Sequence, residues 1–170
     1  LSLMQHFVDE AMINVRSGNG GPGCVSFRRE KYVPYGGPDG GDGGNGGSVI
    51  FKVKNNLRTL YHLKQARNFY AQNGEPGQGK QKNGKKGQDA LVFVPPGTLV
   101  FDADTGECLK DLSHDNDEYL FLKGGKGGRG NMNFATSTNQ APRYAQPGLP
   151  GVSMTLKIEL KLIADIGLVG

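Results

Sequence analysis

The stretch GPDGGDGGNGGS (residues 37–48) divides into four triplets, each opening with Gly and closing with Asp, Asn or Ser. A second stretch, GGKGGRGNM (residues 124–132), has the same period. Three residues per turn is the period of the polyproline II helix, whose backbone groups are free to bond to a neighbour. The spacing therefore predicts rigid polyproline II stems that pack along their bare edges. The structural stem glycines are Gly37, Gly40, Gly43, Gly46, Gly124, Gly127 and Gly130.

Glycine is concentrated in this chain. Of its 170 residues 28 are Gly, and 22 of these lie within residues 18–23, 36–47, 74–87 and 124–130. Ordering them costs about 11–22 kcal/mol more than ordering alanines, whereas a whole domain is stable by only about 5–15 kcal/mol. A flexible linker would avoid this cost, but such linkers are rich in Ser and have no period. The spacing favours packed stems over a linker.

Short apolar segments lie between the glycine blocks. Residues 152–162 alternate apolar and polar side chains, which predicts a half-buried strand. Seven more strands are predicted at residues 11–16, 24–28, 48–54, 90–94, 98–102, 108–112 and 118–122, with one or two helical turns within 57–63. The predicted fold class is mainly β: a small eight-stranded barrel or sandwich from which the stems protrude.

The charge is unevenly distributed. Residues 102–118 hold seven acids and one base, so the rest of the chain carries 19 bases against 9 acids. Such a surplus suggests a polyanionic partner, usually nucleic acid, although a well-solvated basic surface is the alternative. Lys and Arg neutralise phosphates, Asn bonds to bases or ribose, and Tyr stacks on unpaired bases. The predicted RNA-binding residues are Arg28, Arg29, Lys31, Tyr32, Tyr35, Lys80, Lys82, Lys85, Lys86, Arg129, Asn131, Asn133, Arg143 and Tyr144.

Catalytic and metal-binding patterns find little support in the sequence. The three histidines lack a partner at any recognisable spacing, and two isolated cysteines exclude a disulfide framework or a Cys-rich zinc site. Residues 79–85 (GKQKNGK) fit the start of a nucleotide P-loop, but Lys86 replaces the hydroxyl residue that binds magnesium. No apolar run is long enough to cross a membrane. We expect no catalytic residues, no metal and no cofactor in this chain. We also expect the protein to reside in a reducing compartment.

Several longer motifs resemble the glycine-rich N-terminal domain of the Obg GTPases. They are FVDEA (7–11), GCVSFRREKYVPYGGPDGGDGGNGG (23–47), VPPGT (94–98), KGGKGGRGN (123–131) and KLIADIGLVG (161–170). The resemblance implies an Obg fold over residues 4–160, an eight-stranded barrel topped by about six polyproline II helices. Met4 looks like a natural start, with residues 1–3 added ahead of it. Residues 161–170 would open a GTPase domain, and Gly170 would be the first residue of its P-loop.

The resemblance also implies a function. Obg proteins are magnesium-dependent GTP hydrolases of large ribosomal subunit biogenesis, linked to the stringent response, so GTP, GDP and magnesium belong to the full-length protein. Their N-terminal domain inserts its loops near the peptidyl transferase centre. By position these loops are residues 28–35, 79–87 and 131–144, where Tyr35 and Gln140 replace cations common in the family. The implied partners are the large subunit, its rRNA and the protein's own GTPase domain. The resemblance also implies that the protein is a monomer in the cytoplasm.

A second hypothesis is purely structural. The basic edge of residues 124–132 would pair with the acidic edge of residues 37–48, and the module would position the GTPase domain or contact proteins without touching RNA. The two hypotheses differ in whether the cations of the stems are paired within the domain or free at its surface.

Overall fold

The alternating apolar and polar residues near the carboxyl end form one strand of the longest strand pair among the described residues. In a computed structural model that describes residues 6–29, 36–114 and 117–163, strand β8 (Ser153–Ile163) pairs with β1 (His6–Arg16) antiparallel along its whole length. The other strands are β2 (Val49–Val53), β3 (Asn68–Tyr70), β4 (Ala90–Val94), β5 (Thr98–Asp102), β6 (Cys108–Leu112) and β7 (Glu118–Leu122). Helix α1 spans Tyr61–Gln65, and a 3₁₀ turn spans Asn131–Phe134.

The eight strands form two sheets. The larger has the order β3-β1-β8-β5-β6 and the smaller β4-β2-β7. Their facing sides share one apolar core, to which β1 contributes Ile13, β2 Phe51 and β8 Ile158, each essentially without exposed surface. The mainly β prediction is confirmed. Its sandwich form is the one observed, because within the described residues the two sheets are bonded separately and do not close into a barrel.

Two local predictions are wrong. Residues 24–28 form no strand but only an isolated bridge between Phe27 and Pro38, because the backbone there bonds to the glycine-rich stems. Strand β3 was not predicted, because it is only three residues long and partly buries a single side chain, that of Phe69. It forms because β1 offers its free edge, with Val15 opposite Phe69 in a parallel pair. The helical turn lies at Tyr61–Gln65, toward the end of the predicted range.

Asp9 ties strand β1 to the segment that carries α1. One carboxylate oxygen accepts from the Lys64 ammonium at 2.6 Å, and the other accepts from the Leu60 N–H at 2.7 Å. Partial burial raises the pKa of the Asp9 carboxyl, but the bonds from Lys64 and Leu60 outweigh this effect, and the pKa lies below its usual value. A lowered pKa means that the folded state is stabilised by the ionised form.

Asp9→Asn is therefore expected to destabilise the domain at pH 7 by about 1 kcal/mol. The stabilisation is present above the unfolded pKa, about 3.9, and is lost as the pH falls through the folded pKa. Thermal unfolding of both proteins between pH 2 and 7 measures this, and the two curves should converge at the acidic end. Glu118→Gln, at an exposed pair with Lys52, is the control and should change little at any pH.

Candidate nucleic-acid interface

Six glycine-rich segments project from the sandwich, and each is continuous with a strand. Stem 1 (residues 17–24) follows β1, stem 3 (72–78) follows β3, and stem 5 (124–131) follows β7. Stem 2 (39–48) leads into β2, stem 4 (82–89) into β4, and stem 6 (146–152) into β8. The sequence block 74–87 thus supplies parts of two stems joined by a turn. Because every stem shares its backbone with a sheet, the sandwich fixes the spacing of the stems at their base.

Backbone hydrogen bonds join the stems at every third residue. Between stems 1 and 2 the donors are Gly18, Gly21 and Cys24, and the acceptors are Gly47, Gly44 and Gly41, at 2.8 to 3.0 Å. Stem 1 bonds in the same way to stems 3, 5 and 6. The dihedral angles of Gly130, φ −72° and ψ 164°, lie near the polyproline II values. The predicted packing of triplet stems along bare edges is confirmed.

The glycines are required by close approach. A Cβ atom on Gly43 would lie 1.8 Å from the carbonyl oxygen of Gly21, and one on Gly127 would lie 1.9 Å from that of Gly43. Distances this short are incompatible with any side chain, and the atoms in the way are backbone. Gly37 differs from the other predicted stem glycines, because no atom of the described residues lies within 4 Å of its added Cβ.

The side-chain edge of stem 2 also bonds to stem 5. Asp42 Oδ1 accepts the N–H of Gly130 at 2.8 Å, and Asn45 Oδ1 accepts that of Gly127 at 2.8 Å. Ser48 Oγ completes the series by accepting the N–H of Gly124 at 3.0 Å. These polar residues lie at triplet spacing because the N–H groups that they satisfy lie at the same spacing. The structural hypothesis predicted that this edge pairs with residues 124–132, but the groups that it meets are backbone N–H groups and not the cationic side chains.

The three connecting loops meet at the end of the bundle away from the sheets. Asp39 bonds to the turn between stems 3 and 4, where its Oδ2 accepts the Lys80 N–H at 3.1 Å and its carbonyl oxygen accepts the Gln81 N–H at 2.7 Å. Asn131 joins the other two loops, since its Nδ2 donates to the carbonyl oxygens of Ser26 and Pro142, both at 3.0 Å. The described parts of the three predicted RNA-binding loops therefore form one tip surface.

The turn between stems 3 and 4 has an uncommon backbone. Lys80 and Gln81 have φ angles of 61° and 60°, in the left-handed region that side chains other than Gly and Asn seldom adopt. Such residues cost about 1–3 kcal/mol each and persist when their surroundings hold them. The two hydrogen bonds that the Lys80 and Gln81 N–H groups donate to Asp39 provide that support. The P-loop-like residues 79–85 are thus a turn followed by the start of a polyproline II stem.

Most of the predicted RNA-binding side chains in the described ranges are exposed. They are Arg28, Arg29, Lys80, Lys82, Lys85, Lys86, Arg129, Asn133, Arg143 and Tyr144. Lys86 lies 3.7 Å from Asp89 in a surface ion pair. Tyr144, which is 52% exposed, packs one side of its ring against Phe134 at a centroid distance of 5.0 Å. Lys31, Tyr32 and Tyr35 lie outside the described residues, as does Gly170.

Asn131 and Asn133 have different surroundings. Asn131 has no exposed surface, and its amide is occupied by bonds that include the Gly40 N–H at 2.9 Å. The structure thus gives Asn131 a structural role in place of the RNA contact that the sequence predicted. Asn133 is exposed and donates to Asp42. Sequence reasoning also missed Asp39 as the anchor of the 79–82 turn, although its place at the end of the first triplet was a signal.

Among the residues that the structure describes, the ion pairing expected from the structural hypothesis is not found. Asp42 is occupied by the Gly130 N–H and by Asn133, and Asp39 by the Lys80 N–H. In the described part of the chain, Lys126 and Arg129 form no ion pair with either carboxylate. Both cations face outward from the side-chain edge of stem 5. They remain available at the surface.

Other chemistry is sparse in the described ranges. Within residues 6–29, 36–114 and 117–163, three or more His, Cys, Asp or Glu side chains nowhere gather as a metal site would require. None of the helices in those ranges has the length and apolar character needed to span a membrane.

Comparisons with known proteins identify relatives of this chain. The family model described as GTP1/OBG matches residues 8–162. Over 164 residues, or 96% of the chain, it is 58% identical to the GTPase Obg of Desulfosudis oleivorans and 57% identical to that of Desulforapulum autotrophicum. It is 53% identical to the GTPase Obg of Clostridium beijerinckii over the same share of the chain. The chain spans 49%, 48% and 38% of these relatives, about half their length or less. The stem architecture and the family match together establish that this chain belongs to the GTP1/OBG family.

Proposed function

We propose that this chain is the rRNA-binding domain of an Obg-type GTPase that acts in the biogenesis of the large ribosomal subunit. The observation that carries the proposal is the meeting of three basic loops at one end of a stem bundle, linked through Asp39 and Asn131. A rigid bundle brings these loops to RNA already arranged, so little conformational entropy is lost on binding. We propose that the tips insert into rRNA near the peptidyl transferase centre.

The dimensions and charges of the bundle support this function. From Gly124 to Gly130 a polyproline II stem advances about 19 Å, so the tip surface stands well away from the sheets. Exposed Arg and Lys side chains there can neutralise phosphates, and the open side of Tyr144 can stack on an unpaired base. The described acids of residues 102–114 and 117–118 belong to the sandwich, in and around β5, β6 and β7. This separation of charge favours approach to RNA by the tips.

We also propose that this domain is part of a longer protein. Its relatives are named as GTPases and are about twice as long or longer. We propose that residues 161–170 lead into a GTPase domain that binds GTP, GDP and magnesium in the full-length cytoplasmic protein. GTP hydrolysis would then be the task of that domain, and docking on the ribosome the task of this one.

Lys82→Ala is expected to weaken binding of the 170-residue chain to large subunits by roughly 3-fold to 10-fold near 50 mM salt. The exposed Lys82 ammonium, next to the strained turn, would no longer neutralise a phosphate. Cosedimentation at increasing salt measures the affinity. The slope of log K against log salt should become shallower by about one unit, because each phosphate contact releases roughly one counterion.

Lys52→Ala is the matched control. Lys52 lies on β2 of the sandwich, in a surface pair with Glu118, and its loss should leave the affinity and the salt slope unchanged. Equal losses in both variants, or binding of the parent chain that ignores salt, would contradict an RNA interface at the tips. Chemical footprinting of large-subunit RNA tests the location, and protection confined to regions remote from the peptidyl transferase centre would contradict insertion there.

A further inference from the structure

A cleft of about 650 Å³ opens at the tip surface, within the roughly 300–1,000 Å³ range of small-ligand sites. Its lining includes Phe27, Arg28 and Arg29 from one loop, Gly79 and Lys80 from another, and Asp39 at the start of stem 2. An aromatic ring, a carboxylate and several cations thus line one cavity. This combination suits a nucleotide, which has an aromatic base, amino or carbonyl groups on its edge and a phosphate.

Asp39, one of the residues that line this cleft, has a side-chain oxygen without a hydrogen-bond partner among the described residues. Asp39 is 8% exposed, and in the described part of the chain no donor bonds to its buried Oδ1, whereas Oδ2 accepts the Lys80 N–H at 3.1 Å. The backbone holds the residue in place, because the Asp39 N–H donates to the Ser26 carbonyl oxygen at 2.9 Å. A buried carboxylate oxygen without a donor is costly, so a ligand that reached Oδ1 with an N–H group would relieve this cost.

We propose that the cleft receives one unpaired nucleotide of RNA, whose exocyclic amino group donates to Asp39 Oδ1. This inference rests on the proposed RNA-binding function and adds a base preference to it. Carboxylates accept from the amino groups of cytosine, and adenine and guanine carry similar donors. Uracil has no amino group, and its single edge N–H lies between two carbonyl oxygens that the negative carboxylate repels. The cleft should therefore favour cytidine, adenosine or guanosine over uridine.

Binding of short RNA to the 170-residue chain tests this preference. Four fluorescent nonamers are compared by anisotropy: nine uridines, and the same strand with a central cytidine, adenosine or guanosine. At least one substituted strand should bind the parent chain about 5-fold more tightly than the uridine strand.

Asp39→Asn is the decisive variant. The Lys80 N–H still requires an acceptor, so the amide oxygen occupies the place of Oδ2 and the amide NH₂ that of Oδ1. A donor then stands where an acceptor stood, and the uridine strand should bind as tightly as the substituted strands or more tightly. Circular dichroism and thermal unfolding verify that the variant is folded.

Gly79→Ala provides a second test that does not change Asp39. The added Cβ would lie 2.7 Å from Ser26 Oγ and 4.0 Å from Asp39 Oδ1, and its three nearest atoms all belong to side chains. The methyl group fills the cleft beside Oδ1 and should reduce the discrimination between bases. Lys82→Ala is the control, since loss of a phosphate contact should weaken all four strands equally.

The outcomes separate this inference from the proposed function. If the chain binds large subunits but the four strands bind alike, or if the preference is the same in Asp39→Asn and Gly79→Ala, the nucleotide site is overturned and the RNA interface stands. If the chain binds neither large subunits nor any strand, the proposed function fails and the site with it.

Discussion

Gly43→Ala is expected to destabilise the domain by about 4 kcal/mol or more, beyond the roughly 1–3 kcal/mol typical of overpacking. The added Cβ would lie 1.8 Å from the Gly21 carbonyl oxygen and 2.3 Å from its carbon, so stems 1 and 2 must separate. Separation would break the hydrogen bonds that join them. For a chain of this length the midpoint of thermal unfolding should fall by about 8–16 °C, which circular dichroism measures.

Gly37→Ala is the matched control. Its Cβ would meet no atom of the described residues within 4 Å, so alanine only reduces the freedom of the unfolded chain, an effect of about 0.4–1 kcal/mol in favour of folding. The midpoint should therefore stay the same or rise slightly. Similar unfolding midpoints for the two variants would show that the stems are not packed backbone against backbone.

Asn131→Ala is expected to have the second large effect, a loss of about 3–4 kcal/mol. Removing the amide leaves the buried Gly40 N–H and the buried Pro142 carbonyl oxygen without this partner, whereas the Ser26 carbonyl oxygen keeps the bond from the Asp39 N–H. Each buried group left unpaired costs about 1–3 kcal/mol. Denaturant unfolding measures the loss, and affinity for large subunits should fall as well, because Asn131 fixes the loops relative to one another.

Two further variants make the Asn131 test specific. Asn131→Asp keeps the shape but turns the donor toward Ser26 and Pro142 into an acceptor, so it should destabilise about as much as alanine. Asn133→Ala removes an exposed amide that bonds to Asp42 and should cost about 1 kcal/mol. If all three variants were equally stable, the central role assigned to Asn131 would be wrong.

The sequence predicted the stems well, because the period of a polyproline II helix is a local property. Gly40, Gly43 and Gly46 repeat within one short block, and no knowledge of their partners is needed to recognise the repeat. The strands were also predictable where apolar and polar residues alternate, as in β8. The segment 24–28 was misassigned because its apolar residues resemble a strand, whereas its bonding is decided by stems far away in the chain.

The site was predictable in charge but not in geometry. Arg28, Lys80 and Arg143 were visible as members of basic clusters, yet charge and spacing did not indicate that these clusters share one surface, and only the family resemblance brought the three loops together. The contacts that unite them join residues far apart, such as Asn131 with Gly40, 91 positions away, and with Ser26, 105 positions away. Burial of Asn131 and the unpaired oxygen of Asp39 follow from this long-range packing, which spacing alone does not determine.

The stem ladder limits how members of this family can differ in length. One residue inserted into stem 2 would rotate everything beyond it by about 120°, so side chains would point at stem 1 and the polar edge would leave stem 5. Three inserted residues would restore the phase but lengthen one stem without its neighbours. Insertions and deletions should therefore accumulate in the connections 25–38, 79–81 and 132–145. The connecting loops can then differ in length between family members, whereas the stems cannot.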